Sequence, residues 1–193
     1  WEIENYKAEY TAQDVLQTAN LLKEGKVVAV CNGFAECGPR ALGNRSILAL
    51  ANSKKLAKKV SEEHKKREWY RPVAPIMLEK NAKYFTGLNQ IHHLSKYMLL
   101  DFNILNEKQK EIEGVVHVDG TSRIQTIYNR DENPFIFDLL TVLDESFGIK
   151  ALINTSFNSK GEPIVHTTND AMVSAKNMGI DAVVLNGKIQ IIK

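Results

Sequence analysis

Two arginines, an asparagine and a serine are set among glycines in Gly38-Pro39-Arg40-Ala41-Leu42-Gly43-Asn44-Arg45-Ser46-Ile47-Leu48, the composition of an anion cradle. Glycine lets backbone approach a phosphate closely, and each guanidinium fork grips two of its oxygens. The spacing matches neither the P-loop nor the dinucleotide fingerprint, so taken alone it reads equally as a tight turn with structural arginines. Three more polar clusters follow: Lys65-Lys66-Arg67-Glu68-Trp69-Tyr70-Arg71-Pro72, His117-Val118-Asp119-Gly120-Thr121-Ser122-Arg123, and Asn154-Thr155-Ser156-Phe157-Asn158 with Gly161-Glu162-Pro163. In the last, Asn154, Ser156 and Asn158 share one face of an extended segment, while Thr155 and Phe157 point away. Three short hydrogen-bonding side chains on one face suit a planar, urea-like ligand.

Blander readings stand beside these. Lys54, Lys55, Lys58 and Lys59 form a charge run of the kind that usually makes a solvated helix face. Lys65 and Arg71 fit that reading less well, since they flank the aromatic pair Trp69-Tyr70 and adjoin an apolar strand. His117 and Asp119 share a strand face, but no third ligand is evident, so a structural pair is preferred and no metal is assigned. Nothing is assigned to His92-His93.

The elements that must position these clusters alternate along the chain. Thr11 with Asp14 resembles a capping box and opens a helix with Val15, Ala19 and Leu22 inward; Gly25 closes it. Lys26–Cys31 and Ser46–Ala51 read as strands, and Ser53 caps a lysine-rich helix reaching His64. Val73–Leu78 is a strand entered through Arg71-Pro72, where proline forbids continued helix. A short helix is expected over Asn81–Phe85, followed by a polar stretch of no clear type. Tyr97–Ile104, Val115–Val118 and Arg123–Tyr128 read as strands, with Asn106–Glu113 a charged connector. Phe135–Phe147 has the period of a buried helix, Ala151–Ile153 is a strand, and Thr168 is expected to cap a helix reaching Met178. Asn186-Gly187 marks a hairpin between Val183–Leu185 and Ile189–Ile191. All four polar clusters fall at element ends, where a rigid scaffold presents functional groups.

Composition narrows the class. The chain has 193 residues, 44% hydrophobic and 25% charged, which allows one sizeable α/β core. A formal net charge of +2 is too small for general nucleic-acid binding, so any anion site must focus charge locally. Two cysteines, Cys31 and Cys37, lack zinc-site spacing and fit a reduced, cytoplasmic protein. No apolar run has membrane-spanning length and no signal-peptide pattern occurs. The sequence begins with Trp1 rather than Met and so reads as a piece of a longer polypeptide.

In order, the clusters resemble one family. The opening loop, then Lys65-x-Arg67-Glu68-x-x-Arg71-Pro72-x-Ala74-Pro75, then His117-Val118-Asp119-Gly120-Thr121-x-Arg123-x-Gln125, then Asn154-Thr155-Ser156-Phe157-Asn158-x-x-Gly161-Glu162-Pro163-Ile164-Val165, look like the C-terminal domain of NodU/CmcH-type carbamoyltransferases. The resemblance runs from about Gly25 to the end and implies that 1–193 is one YrdC-like domain, a twisted mixed sheet with flanking helices. Two departures occur. Leu50-Ala51-Asn52-Ser53 stands where many relatives have Asp-Pro-Arg, and Tyr70-Arg71-Pro72-Val73-Ala74-Pro75 stands for Phe-Arg-Pro-Phe-Ala-Pro.

The resemblance also implies chemistry. Such domains bind ATP, with Mg²⁺, and carbamoyl phosphate, and form carbamoyl-adenylate. A Kae1-like N-terminal domain of the same polypeptide, absent from this chain, carries iron or zinc and passes the carbamoyl group to a hydroxyl. By family role, Lys65, Arg71 and Ser156 are the catalytic candidates, and Arg40, Arg45, Arg123, Asn154 and Asn158 the substrate-binding ones. Arg40, Lys65, Arg71, Arg123 and Ser156 should meet on one concave face. A homodimer is left open. Two other classes also stay open, an RNA-binding module of YrdC type and a nucleotide-binding regulatory domain without chemistry.

Overall fold

The computed structural model describes residues 8–68 and 70–193; Trp1 and Trp69, which enter the sequence reading, lie outside the described residues. Alternation along each strand divides its side chains between two apolar layers. Strand β1 (Val28–Cys31) and the residue before it turn Val27, Ala29 and Cys31 to one layer and Val28 and Val30 to the other. A strand covered on both faces must be apolar throughout, which is why it reads as a continuous hydrophobic run. β3 (Ala74–Leu78) and β8 (Ala182–Leu185) are likewise apolar throughout, while β2 (Arg45–Leu50) opens on Arg45-Ser46 and β7 (Leu152–Ser156) closes on Asn154-Thr155-Ser156. With β6 (Gln125–Ile127) and β9 (Lys188–Ile191) they form a seven-stranded mixed sheet in the order β6-β3-β7-β2-β1-β8-β9. The β1–β8 and β3–β6 pairs are parallel and the other neighbours antiparallel.

Helices α1 (Ala12–Lys23) and α4 (Pro134–Phe147) cover one face, through Val15, Ala19, Leu22, Leu139 and Leu143. Helices α2 (Lys54–Lys58), α3 (Glu79–Thr86) and α5 (Thr168–Met178) supply Ala57, Phe85 and Ala175 to the other. Local chemistry fixes where these helices start. Thr11 and Asp14 complete the expected capping box on α1, Ser53 accepts from Leu56 N–H, and Asn133 caps α4 ahead of Pro134. The cap of α5 is Thr167, not Thr168, because Asp170 completes a box with the former.

The middle of the chain departs from the sequence reading. Tyr97–Ile104 is not a strand. It contains the end of a 3₁₀ turn (His93–Tyr97), a left-handed residue at Met98 (φ 54°) and only two strand residues, β4 (Phe102–Asn103), paired to β5 (Thr121–Ser122). Met98, Phe102 and Ile104 are buried one by one under the sheet, so the apolar run has no long strand to pair with. Val115–Val118 is a turn closed by Val115 N–H to Ile112 O and His117 N–H to Thr121 O. The expected Arg123–Tyr128 strand shortens to β6, and the charged connector coils into a 3₁₀ segment, Asn106–Ile112.

Strand directions decide where the polar clusters meet. Along one edge of the sheet lie the end of β1, the start of β2, the end of β7, and the starts of β3 and β6. Gly43 sits at that edge at φ 124°, where a Cβ would lie 2.7 Å from Asn133 Nδ2 and 2.9 Å from Ile136 Cγ1. Gly43→Ala is therefore expected to cost about 2–4 kcal/mol, adding backbone strain to overpacking. Gly148→Ala, with no atom within 4 Å of the added Cβ, is expected to cost only about 1–2 kcal/mol. Urea unfolding of both variants against the parent measures the difference.

Candidate functional site

The basic helix does not end as an α-helix. After Lys58 it widens into a π segment, Lys59–His64, closed by Lys65 N–H to Val60 O (3.1 Å) and Arg67 N–H to Ser61 O (2.9 Å). Lys66 takes a left-handed conformation (φ 52°), and the chain turns there. This widened turn carries Lys65 inward, where it is 1% exposed. Its Nζ reaches the end of β7 and meets Ser156 O, Ser156 Oγ (3.0 Å), Asn158 O (2.8 Å) and Asn158 Oδ1 (2.8 Å). Ser156 Oγ–H donates to Asn158 Oδ1 at 2.7 Å, and Asn158 Nδ2 donates to Glu162 O at 2.7 Å. Burial, with the charges of Arg67 and Arg71, pushes the Lys65 ammonium down to about 6.

Beside this cluster a small polar cleft of about 60 Å³ is lined by Arg40, Arg67, Arg123, Asn154 and Ser156. Arg67 Nη2 lies 3.4 Å from Ser156 Oγ. Burial lowers the proton affinity of Arg67, as do the charges of Arg71, Arg123 and Arg40, with Glu68 opposing. Burial and Arg40 act on Arg123 in the same direction, against Asp101. Such mutual repulsion of preplaced cations is relieved by a bound anion. A groove of about 740 Å³ adjoins the cleft, sharing Pro72 and Val73, and is walled by Tyr70, Arg71, Val116, His117 and Val118.

Four expected site residues, Arg40, Arg123, Asn154 and Ser156, thus line one cleft. Lys65 stands behind Ser156, and Asn158 is tied to both. Arg71 lies in the adjoining groove, with Nη1 3.6 Å from Glu68 Oε2. Lys54 and Lys58 are exposed, as a solvated face would be, yet they also border this groove.

Arg45 is a correction. Its guanidinium is 2% exposed and donates to four backbone carbonyls, Asn32 O and Asn44 O from Nη1 and Gly33 O and His166 O from Nη2. The fork is spent on holding the loop to β1 and to the segment before α5, so it is a structural arginine. The structural-turn reading of the opening loop thus holds for Arg45, while Arg40 lines the cleft.

One further residue lines the cleft, Arg67, and one stands behind it, Gln125; neither is among the sequence candidates. Arg67 stands two residues after Lys65 in the same basic cluster, and its type and spacing are the signal that could have found it. Gln125 is 1% exposed and holds Asn154 from β6. In the His117 corner, Asp119 Oδ1 accepts from Thr121 N–H (3.0 Å) and Thr121 Oγ–H (2.7 Å), while His117 Nδ1 lies 3.0 Å from Thr121 Oγ1. Among the described residues no group of three His, Cys, Asp or Glu is placed to hold a metal, and no helix is long and apolar enough to cross a membrane.

The mixed seven-stranded sheet with these flanking helices is a YrdC-like α/β fold. It superposes on HypF in its phosphate- and nucleotide-bound form with a TM-score of 0.64 and 20% identity, covering 92% of this chain and 26% of that one. A Sua5 structure from P. abyssi also gives 0.64, at 14% identity, covering 94% and 51%. At these identities the likeness concerns the fold alone.

Residues 19–191 match the family described as carbamoyltransferase C-terminus, and the chain belongs to that family. Nodulation protein NolO of Bradyrhizobium diazoefficiens is 35% identical over 86% of this chain and 30% of its own length. Nodulation protein U of Rhizobium tropici is 39% identical, covering 90% and 29%. An uncharacterized protein of Methanocaldococcus jannaschii is 37% identical, covering 95% and 35%. The chain therefore spans about a third of the length of these relatives.

The two arginines of the opening loop should separate on substitution. Arg45→Ala strips a cation from four carbonyls and is expected to cost at least about 3 kcal/mol. Arg40→Ala, at an exposed position, should stay within about 0.5 kcal/mol of the parent. Thermal unfolding checks both; equal melting temperatures would return Arg45 to the ligand-binding set.

Proposed function

We propose that this domain binds ATP and a carbamoyl donor and forms carbamoyl-adenylate. The observation that carries this is the cation cluster, in which Arg40, Arg67 and Arg123 line one cleft with Lys65 immediately behind Ser156. Three arginines on one cleft call for polyanionic charge, and ATP with carbamoyl phosphate brings it. Family membership supports the carbamoyl group as the moiety transferred, and the neighbouring groove is roomy enough for a nucleoside.

Water first releases carbamate from carbamoyl phosphate, with phosphate as the other product. A carbamate oxygen then attacks the α-phosphorus of ATP; that oxygen–phosphorus bond forms while the bond to pyrophosphate breaks. The attacking oxygen is already anionic, so no general base is required. Alignment and charge neutralisation supply the acceleration. In this reading the arginines of the cleft hold phosphate oxygens, Lys65 holds Ser156 and Asn158 in place behind them, and Arg71 grips the nucleotide from the groove. Mg²⁺ enters with the nucleotide, held chiefly by its phosphates. Transfer to a hydroxyl is assigned to a Kae1-like domain, so the chain alone should not carbamoylate a sugar.

Exchange of labelled pyrophosphate into ATP, dependent on carbamoyl phosphate, tests the reaction. No exchange and no ATP binding, together with retention of RNA in filter binding, would favour an RNA-binding module instead. For Arg71→Lys, which keeps the charge and loses the bidentate fork, ATP affinity should fall by roughly 1.5–3 kcal/mol. Lys54→Ala, at the groove's exposed rim, should change it by less than about 0.5 kcal/mol. Calorimetric titration with ATP decides both.

A pH dependence follows from Lys65. In the free chain it loses its proton near 6, against 10.5 for an unperturbed lysine. Bound phosphate favours the ammonium, so the contribution of Lys65 to ATP affinity, read as the difference between the parent and Lys65→Gln at each pH, should be full below about pH 6 and weaken as pH rises above it. Binding at pH 8, where nucleotide phosphates are fully ionised, should take up as much as one proton. Calorimetry in buffers of different ionisation enthalpy reads this uptake, which Lys65→Gln should abolish.

A further inference from the structure

The corner at His117 ends in an open ring nitrogen whose chemistry is fixed by its neighbours. The Thr121 hydroxyl and N–H hold the Asp119 carboxyl below its ordinary value, so it stays ionised and can only accept. The single hydroxyl proton of Thr121 therefore goes to Asp119 Oδ1, at 2.7 Å, and Thr121 Oγ1 can only accept from His117 Nδ1, at 3.0 Å. Asp101 Oδ1, 3.9 Å from the same nitrogen, is a second acceptor on that side. In the neutral imidazole the proton is thus on Nδ1, and Nε2 keeps its lone pair. Nε2 has no hydrogen-bond partner among the described residues and, unlike Nε2 of His64, is not sealed from solvent. The side chain is 22% exposed and lines the groove of about 740 Å³ beside the cation cleft.

Around it the groove is walled by Ala57, Tyr70, Val73, Val116 and Val118, surfaces suited to a flat heteroaromatic ring. A neutral acceptor on such a wall discriminates by the ring edge presented to it. An exocyclic amino group donates to Nε2, whereas a carbonyl oxygen sets one lone pair against another. We propose that His117, its tautomer set by Thr121 and Asp119, reads the 6-amino group of adenine in this groove and disfavours 6-oxo purines. This rests on the proposed nucleotide reading and adds what selects the base. Thr121 is a positioning residue: it acts through His117 and touches no ligand itself. A site that offers an acceptor to a ligand N–H binds the analogue lacking that N–H less well, because the acceptor then stays unpaired. Partial exposure keeps the discrimination modest, since water can stand in for part of the lost bond.

Calorimetry at pH 8 with ATP and with inosine triphosphate, which carries a 6-oxo group and a ring N–H in place of the amino group, provides the test. The 193-residue chain should bind ATP at least tenfold more tightly. That ratio should fall below threefold in His117→Ala and in Thr121→Val, which lets the imidazole exchange tautomers. Thr121→Ser, which keeps the hydroxyl, should retain the parent ratio. Nitrogen NMR shifts of the His117 ring give a readout that needs no variant to fold: Nε2 should be the unprotonated nitrogen in the free chain and should move with ATP but not with inosine triphosphate. Equal binding of the two nucleotides, or ATP binding that leaves Nε2 unmoved, overturns the base selection and leaves the nucleotide reading intact. A ratio unchanged by Thr121→Val overturns the part given to Thr121. Absence of ATP binding overturns the nucleotide reading and this inference with it.

Discussion

A buried lysine among oxygens organises this site. Lys65 Nζ faces two backbone carbonyls, a hydroxyl and an amide oxygen, all from the turn that ends β7. A lysine this deep is costly to keep charged, and no carboxylate is among its hydrogen-bond partners, so it sits near the boundary between ammonium and amine. That cost is offset because these oxygens need donors, and the three N–H bonds of one ammonium are shared among them. The same contacts fasten the basic helix to the sheet edge, so Arg67, two residues on, has a fixed position over Ser156.

The π segment explains how a helix built from lysines delivers one of them inward. Lys54 and Lys58 remain outside, consistent with the strong hydration of an ammonium on a flexible stem. The widened turn and the left-handed Lys66 redirect the chain, and one side chain in the run is drawn into the protein. π turns are rare and often mark functional sites. Here the distortion is the means by which a surface charge run contributes a buried cation.

Polar order around the cleft is enforced from the backbone outward. Glu36 Oε1 accepts from Leu42 N–H and Asn44 N–H, at 2.7 Å each, and so shapes the loop bearing Arg40. Leu42 O then anchors Gln125, and Ala41 O anchors Asn154. Arg45 secures the loop's other side through four carbonyls. The glycine-bearing loop is thus a braced structure on which one arginine is left to face the cleft. Preorganisation of this kind lets dipoles and charges act without reorganising when a ligand arrives.

Local features were decided by the sequence alone. The apolar runs that became β1, β2, β3 and β8, the caps at Thr11 and Ser53, and the hairpin at Asn186-Gly187 follow from periodicity and turn chemistry within a few residues. The four polar clusters, in their order, were enough to place the chain in its family. Tertiary structure decided the rest, because it depends on partners distant in the chain. Tyr97–Ile104 is apolar enough for a strand, but only β5 is there to pair with it. Arg40 and Arg45 are the same residue type five positions apart, and nothing local tells that the second meets His166 O, 121 residues away. Gln125 is one polar residue in a short strand until the sheet sets it against Asn154, 29 residues on. Side-chain type and spacing announce which chemistry a chain carries; which atoms are left unpaired for a ligand is settled only when distant strands bring every other donor and acceptor together.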